Sequence, residues 1–281
     1  MYIPHCDSCN LCISSRINLK MFNFCLHSRH VKKIESLNYI PVGLGSNDFP
    51  PSCLRDNTGD NISHKNKHYS EWTFHYWFWK NMIDKIEDNK WIGFSHYKYF
   101  WKNTNNKYED QFHKNVLKEI PESWNKYESI LGEKIFLENI KNSKIIKNGG
   151  ALFLFDKRTY IKKKRNIKFH FEIFHGKNIL DQAIELLDEE NKKNFNTYLE
   201  ENNSYHKWNM FICKSRKKLT NFYEILFEWL LKCEDKFGFD LEGYGKVRIY
   251  GFLAERFMSY WFKKNAKFKE LPILFHDIGG N

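Results

Sequence analysis

At 281 residues the chain is long enough to bury a sizeable core, as one large α/β domain or two small ones. Its 42% hydrophobic and 17% aromatic content excludes disorder over most of the length, and the rings suit both a packed interior and the stacking of flat or sugar-like ligands. The formal charge of +11, from 45 basic and 34 acidic residues, points to nucleic acid, a phosphate-bearing substrate or an anionic membrane, unless an AT-rich codon bias toward Lys, Asn, Ile and Phe accounts for it.

The amino terminus is polar, without the apolar stretch of a signal peptide, and no apolar run approaches the ~18–20 residues needed to span a bilayer. Cysteines number seven, with Cys6, Cys9 and Cys12 crowded together and Cys25, Cys53, Cys213 and Cys233 scattered. That odd, unframed set reads as free thiols in a reducing compartment, hence a cytoplasmic protein, soluble or peripheral. Cys6-x-x-Cys9-x-x-Cys12 lacks a fourth ligand at fitting spacing, so reactive surface thiols or an upstream start codon are the expectation rather than a metal. Residues 1–15 read as a disordered extension and 16–281 as the folded domain.

Along the chain, Ile17–Leu26 alternates as a strand does, and Tyr39–Val42 predicts a second short strand ended by Gly43 and Gly45. Residues 47–66, rich in Asn, Asp, Pro, Gly and Ser, read as a loop. Tyr69–Asn81 predicts a buried helix, with Trp72, Trp77 and Trp79 in the core rather than on a sugar platform. Trp91–Tyr97 follows as a strand, and loop, helix, strand is the rhythm of a nucleotide-binding α/β half. A helix is expected near Gln111–Ile120. Gly149-Gly150 precedes Ala151–Phe155, read as a buried strand, and Lys162–Arg165 is a basic run. Further helices are expected over Ile179–Leu187, Lys192–Glu200, Leu219–Cys233 and Gly251–Lys263, with strands at Trp208–Cys213 and Leu271–Leu274. No internal repeat is found.

Three segments carry chemistry. Asp56-Asn57-Thr58-Gly59-Asp60-Asn61-Ile62-Ser63-His64-Lys65-Asn66 sets polar side chains around a glycine ahead of a helix, able to gather a polyol or phosphate; its plain alternative is a capped turn. Ser95–Phe100 sits at a strand end, where alternation predicts His96 and Lys98 on one face. Such a pair neutralises a departing diphosphate without a metal; otherwise it is solvated surface. Tyr250–Phe257 places Glu255 near a helix start, where an ionised carboxylate can act as general base, or simply pair with Arg256 or Arg248.

Taken together, Gly59-Asp60-Asn61-Ile62-Ser63-x-Lys65-Asn66, Tyr69-x-Glu71-x-Thr73, Tyr76-Trp77-x-Trp79-Lys80-Asn81 and His96-Tyr97-Lys98-Tyr99-Phe100 resemble a bacterial capsule and O-antigen glycosyltransferase family long catalogued only as a domain of unknown function. The family reads GDNIS-x-KN, YWxWKN and HYRRYF. The likeness continues in Trp208-Asn209-Met210-Phe211-Ile212 (family YNMFI) and Gly251-Phe252-Leu253-Ala254-Glu255-Arg256 (family GFLSER), and more loosely in His175 and Asp181 (family H…DL), over roughly residues 35–275. Lys98 and Tyr99 stand where the family has two arginines, so the bidentate grip of Arg is lost there. About fifteen residues also precede the first strand, which in the family follows the start methionine directly.

The resemblance implies an α/β, GT-A-like (Rossmann-like) nucleotide-sugar transferase fold in a single domain with a helical carboxyl-terminal part. It further implies a hexosyltransferase moving galactose, galactofuranose or a related hexose from a nucleoside-diphosphate sugar, a UDP-sugar foremost. The acceptor would be a growing capsule polysaccharide or lipopolysaccharide, as a glycan or lipid-linked glycan at the inner face of the cell membrane. Asp60, Asn61, Ser63, Lys65, His96 and Lys98 are then expected on the donor, Asn209, His175 and Arg256 on the acceptor, and Glu255 or Asp181 as the catalytic carboxylate. Many such transferases hold Mg or Mn with an Asp-x-Asp where this chain has His96-x-Lys98, so the motif allows a divalent metal without requiring one. The expectation rests on a cationic strand tip beside a polar glycine turn. Two other readings compete. One is a basic nucleic-acid binder, with the 162–165 and 214–218 runs in its favour and no recognised module; the other is a non-catalytic partner in polysaccharide assembly. Nucleic acid is not the expected partner.

Overall fold

Leu19-Lys20-Met21-Phe22-Asn23-Phe24-Cys25 forms the central strand, β1 (Leu19–Cys25), with side chains alternating between two apolar layers. Phe22 and Phe24 enter the larger core, whereas Leu19, Met21 and Cys25 enter the core on the other face. A strand buried on both faces is what a near-continuous apolar run specifies. The computed structural model describes residues 18–88, 90–104 and 111–279; the expectations for residues 1–15, Cys6, Cys9 and Cys12 fall outside them.

Around β1 lie β2 (Ile40–Gly43), β3 (Leu54–Arg55), β4 (Trp91–His96), β5 (Tyr99–Trp101), β6 (Ser129–Gly132), β7 (Lys134–Phe136), β8 (Ser204–His206), β9 (Phe211–Cys213), β10 (Phe268–Leu271) and β11 (Ile273–Phe275). The main sheet runs β10-β6-β9-β4-β1-β2-β3, with β5 joining β4 to β11, and β7 pairs with β8 apart from it. β2, β1 and β4 are parallel, as are β2 with β3 and β6 with β10. β9 lies antiparallel between β4 and β6, and β5 is antiparallel to both β4 and β11. This is the α/β, GT-A-like arrangement the resemblance implies.

Helices cover the larger core. Trp72–Asn81 buries Trp72, Phe74, Trp77 and Phe78 against β1 and β4, with Phe22–Phe74 ring centroids 5.5 Å apart. Trp79 is half-buried, stacked on Phe227. Arg216–Phe237 starts where Ser215 accepts from Lys218 N and buries Phe222, Leu226, Trp229 and Leu230 on one stripe. Ile249–Asn265 is buried almost all round. Each of these fully buried aromatic or aliphatic side chains contributes about 1.5–3 kcal/mol of transfer free energy. No helix among the described residues is long and apolar enough to cross a membrane.

Five local expectations need correction. Ala151–Leu154 is a 3₁₀ turn rather than a buried strand; only Phe153 is inside, while Leu152 and Phe155 are exposed. The apolar run is real, but Gly150 at φ 71° starts a turn and no strand edge is offered to it. The strand expected at Trp208 begins only at Phe211, because Trp208 and Asn209 adopt left-handed φ of 73° and 53°. The helix expected over 69–81 breaks at Ser70, φ 54°, separating Asn66–Tyr69 from Trp72–Asn81. Pro272 divides the closing strand into β10 and β11, since it has no N–H for a ladder. The helix expected over 111–120 is confined to Phe112–Asn115.

Candidate active site

In open α/β sheets, ligands bind beyond the carboxyl ends of the parallel strands. His96 is the last residue of β4, at that edge. Asn23 of β1 donates from Nδ2 to Ser95 Oγ at 2.8 Å and to the His96 carbonyl at 2.9 Å, fixing the strand end. Tyr97 and Lys98 then form a two-residue turn into β5, where Tyr99 pairs with His96. Lys98 is therefore on a hairpin tip, not on the His96 face of β4; its Nζ lies 2.8 Å from Asp277. The alternation that predicts a shared face ends with the strand.

Four distant segments meet at His96. Its Nε2 donates to the Trp208 carbonyl at 2.6 Å and lies 3.5 Å from Glu71 Oε1. Glu71 Oε1 also accepts from Asn209 Nδ2 at 2.7 Å, and its Oε2 faces Arg248 Nη2 at 3.8 Å. Arg248 in turn donates from Nε to Ser70 Oγ at 2.7 Å. Gly251 permits this approach: a Cβ there would stand 3.3 Å from both the Tyr69 carbonyl and Ser70 Oγ. Trp208 N donates to Glu255 Oε1 at 2.7 Å, and Glu255 Oε2 pairs with Arg256 Nη1. Left-handed backbone at a tryptophan and its neighbour is costly, and here it is held by Glu255, His96 and Glu71 together. The buried Asn209 Oδ1 has no hydrogen-bond partner.

The electrostatics follow from burial. The Glu255 carboxyl is pushed above the ordinary range, first by desolvation and further by Glu71, against the pull of Arg256. Arg256 is itself buried, its Nη2 3.2 Å from His170 Nδ1 and 3.5 Å from His175 Nε2. Desolvation, then the Arg256 charge, holds both histidines well below the usual imidazole value, so they remain neutral beside it. His175 also stacks on Phe252 at 4.0 Å and bonds the Gly245 carbonyl through Nδ1. Lys207 lies with Nζ 3.7 Å from the Trp208 ring centroid, and burial lowers its pKa. Trp208 stacks on Tyr99 at 4.6 Å. The site edge thus carries two cations, Lys207 and Arg248, which the sequence reading did not assign to it.

The glycine turn packs elsewhere. Asp60 N donates to Asn81 Oδ1 at 3.2 Å, Asn81 Nδ2 donates to the Asp60 carbonyl at 2.7 Å, and Tyr76 OH reaches Asp60 Oδ1 at 3.2 Å. Asn61 folds on its own turn, donating to the Gly59 carbonyl and accepting from Ser63 N. Lys65 Nζ pairs with Glu234 at 2.5 Å. Glu71 and Asn81 are ten residues apart along one helix, a rise of roughly 15 Å, so the His96 edge and the Asp60 turn contact opposite ends of it. The adjacency expected between the strand tip and the glycine turn is not present; the two are joined instead by the Trp72–Asn81 helix between them. Asp56 is the link: buried, it accepts from Gly45 N at 3.1 Å and from Thr73 Oγ1 at 2.6 Å, two residues from Glu71. Asp181 lies apart, 2.6 Å from Lys168 in a surface groove of about 400 Å³ shared with Glu185 and Lys192.

Of the expected residues, His96, Asn209, Glu255, Arg256 and His175 are therefore brought into one network. Asp60, Asn61, Ser63, Lys65, Lys98 and Asp181 are not. Glu71, Arg248, Lys207 and His170 belong to the network and were missed as site residues, although Glu71 lies inside a recognised motif. The described residues gather no group of three or more His, Cys, Asp or Glu side chains suited to a metal ion.

A family profile described as a domain of unknown function, DUF4422, matches residues 20–266. The chain belongs to this family. The DUF4422 match spans every segment of the network, from β1 to the Glu255–Arg256 pair. No curated protein matches the sequence significantly. Among solved structures, the apo form of the WbbM bifunctional glycosyltransferase superposes with a TM-score of 0.65 at 21% identity. The likeness covers 92% of this chain and 45% of that one, so the chain spans about half the length of the relative it matches. At that identity the shared property is the fold.

Proposed function

We propose that this DUF4422 chain is a glycosyltransferase that moves a hexose, galactose or galactofuranose foremost, from a UDP-sugar to a glycan or lipid-linked glycan of a growing surface polysaccharide. The carrying observation is the convergence of Glu71, His96, Trp208–Asn209, Arg248 and Glu255 at the carboxyl edge of β4, in a fold shared with a glycosyltransferase.

Each group has a role by its surroundings. Arg248 and Lys207 flank the edge and receive the donor diphosphate; an incoming anion also relieves the cost of burying the Lys207 charge. His96, its Nε2 proton held by the Trp208 carbonyl, orients that loop. Both Glu255 oxygens are engaged, one by Trp208 N and one by Arg256, which makes Glu255 a positioning residue. Glu71 keeps Oε2 clear of a close bond and is the carboxylate placed to take the acceptor proton. Asn209, with Oδ1 unpaired, offers an acceptor atom to a sugar hydroxyl. The more remote His175 and Arg256 support this loop from below.

Calorimetric titration with UDP and a panel of nucleotide sugars, with and without chelator, tests the reading. Binding of one nucleotide sugar is expected, weakened about tenfold or more by Arg248→Ala, as loss of a charge-assisted hydrogen bond dictates. Failure to bind any nucleoside diphosphate or its sugar removes the proposal. The chelator arm shows whether Mg or Mn takes part.

A further inference from the structure

Residues 141–165 make a small excursion with its own apolar base, Phe153 and Ile145 packing on Phe169 and Ile173. Arg165, buried, locks it: its guanidinium donates to the carbonyls of Arg158 at 3.0 Å, Thr159 at 2.6 Å and Ile140 at 2.5 Å. Thr159 Oγ1 donates to the Phe153 carbonyl and Tyr160 OH to that of Leu154. On the outside of this rigid knob the apolar side chains point to water. Phe155 is 90% exposed and Leu152 70%, joined by Leu154, Tyr160 and Ile161. Five of the eleven exposed large apolar side chains of the described residues thus fall within ten positions, too concentrated for the ordinary scatter of surface hydrophobics.

Exposed lysines ring the patch: Lys157, Lys162, Lys163 and Lys164. Among the described residues none of these four has an acidic partner. The other basic run is different, since Lys218 pairs with Glu128 at 3.3 Å and Arg216 with Asp88 at 3.3 Å. Unneutralised lysines around an aliphatic and aromatic wedge complement one kind of surface, an apolar layer beneath anionic headgroups. A nucleic acid would use the lysines but leave Leu152 and Leu154 without a partner.

We propose that this knob is a membrane-docking surface, inserting Leu152, Leu154 and Phe155 at the headgroup–acyl boundary of a bilayer that carries anionic lipid, with Lys157 and Lys162–Lys164 on its phosphates. The proposal is independent of the sugar chemistry, which a soluble donor tests. The knob is nonetheless joined to the site by packing. The Asn142–Gly149 helix packs on Ile167–His175, Lys144 Nζ lying 5.6 Å from the Phe174 ring centroid, and that second helix presents His170 and His175 to Arg256. The knob and the histidine side of the network thus share one helix, Ile167–His175.

Co-sedimentation of the full chain with phosphatidylcholine vesicles, and with vesicles that also contain phosphatidylglycerol, tests it. Binding is expected to the anionic vesicles and to fall with salt. Leu152→Ser with Phe155→Ser should reduce partitioning about tenfold or more, and each alanine at Lys162, Lys163 or Lys164 about fivefold on anionic vesicles. Lys217→Ala, an exposed lysine of the other run, should bind as the parent does, and circular dichroism should show every variant folded. Equal binding to both vesicle types, or parental binding by the Leu152/Phe155 variant, overturns the proposal. So does Phe155-dependent self-association without vesicle binding, or oligonucleotide binding through Lys162–Lys164 in its place.

Discussion

Glu71 brings one oxygen to Asn209 and the other toward Arg248, with His96 3.5 Å away, so its charge and its geometry can be separated by substitution. Glu71→Gln keeps an oxygen for Asn209 but removes the base; turnover of donor and acceptor should fall by about 10²–10⁴-fold with donor affinity nearly unchanged. Steady-state rates beside a binding isotherm check this, and near-parental turnover would remove Glu71 from the role. Arg256→Met acts differently. It leaves the Glu255 carboxylate buried without its counter-charge, so urea unfolding should show a loss of about 3–5 kcal/mol whether or not substrate binds. At this scale the sequence made His96 and Glu255 visible, each a polar residue in a short apolar string at the end of an element, whereas Asn209 came into view only through the family resemblance. Glu71 was hidden by its setting: flanked by Tyr69, Trp72 and Thr73, it reads as one more position of a helix start. Lys207 lies one residue before one motif and Arg248 three residues before another, and neither carries a pattern of its own.

The Trp72–Asn81 helix is the element that organises both polar segments, with Glu71 at its start and Asn81 gripping the Asp60 turn at its end. Gly59 fits that grip only without a side chain: φ is +57°, and a Cβ would stand 2.2 Å from Asn81 Oδ1. Gly59→Ala should therefore destabilise by about 1–3 kcal/mol in thermal unfolding, and should leave nucleotide affinity nearly intact if the diphosphate binds at the far end of the helix. A large loss of affinity with unchanged stability would return the donor to the glycine turn. The long amphipathic helices and the strands β1, β2 and β4 were legible because period and burial agree in them. Ala151–Phe155 was not, since five apolar residues look alike whether buried or exposed and periodicity cannot tell a strand from a turn. The positive φ at Ser70, Trp208 and Asn209 was also beyond reach, because tertiary contacts rather than local preference impose it.

Across the whole molecule, burial keeps several ionisable groups in their neutral form, and acidity should reveal it. His75 lies under the sheet, its Nδ1 2.9 Å from Tyr223 OH and its ring 4.4 Å from Phe94, and desolvation lowers its pKa well below the ordinary value. Because the unfolded chain binds the proton and the folded one does not, His75 costs stability once pH falls below about 6.5. His75→Leu strands the Tyr223 hydroxyl and should cost about 1–3 kcal/mol at pH 7. That gap should then narrow by up to about 1.4 kcal/mol per pH unit below 6.5, since only the parent must exclude the proton. Unfolding midpoints of both proteins at stepped pH measure it, and a constant gap contradicts a neutral buried imidazole. The sheet order was the least legible feature, since nothing local states that β9 runs against its neighbours or that β10 returns beside β6.

The clasp on the β4–β5 turn comes from the end of the described chain. β11 pairs with β5, His276 N bonds the Lys98 carbonyl at 2.9 Å, Asp277 holds Lys98, and Lys33 Nζ reaches the Ile278 carbonyl at 2.7 Å. All of these contacts lie beyond residue 266, where the family match stops. During synthesis, then, a nascent polypeptide that has already emitted every member of the polar network still lacks this clasp on the hairpin beside His96. It can latch that hairpin only after residues 273–278 have left the ribosomal tunnel.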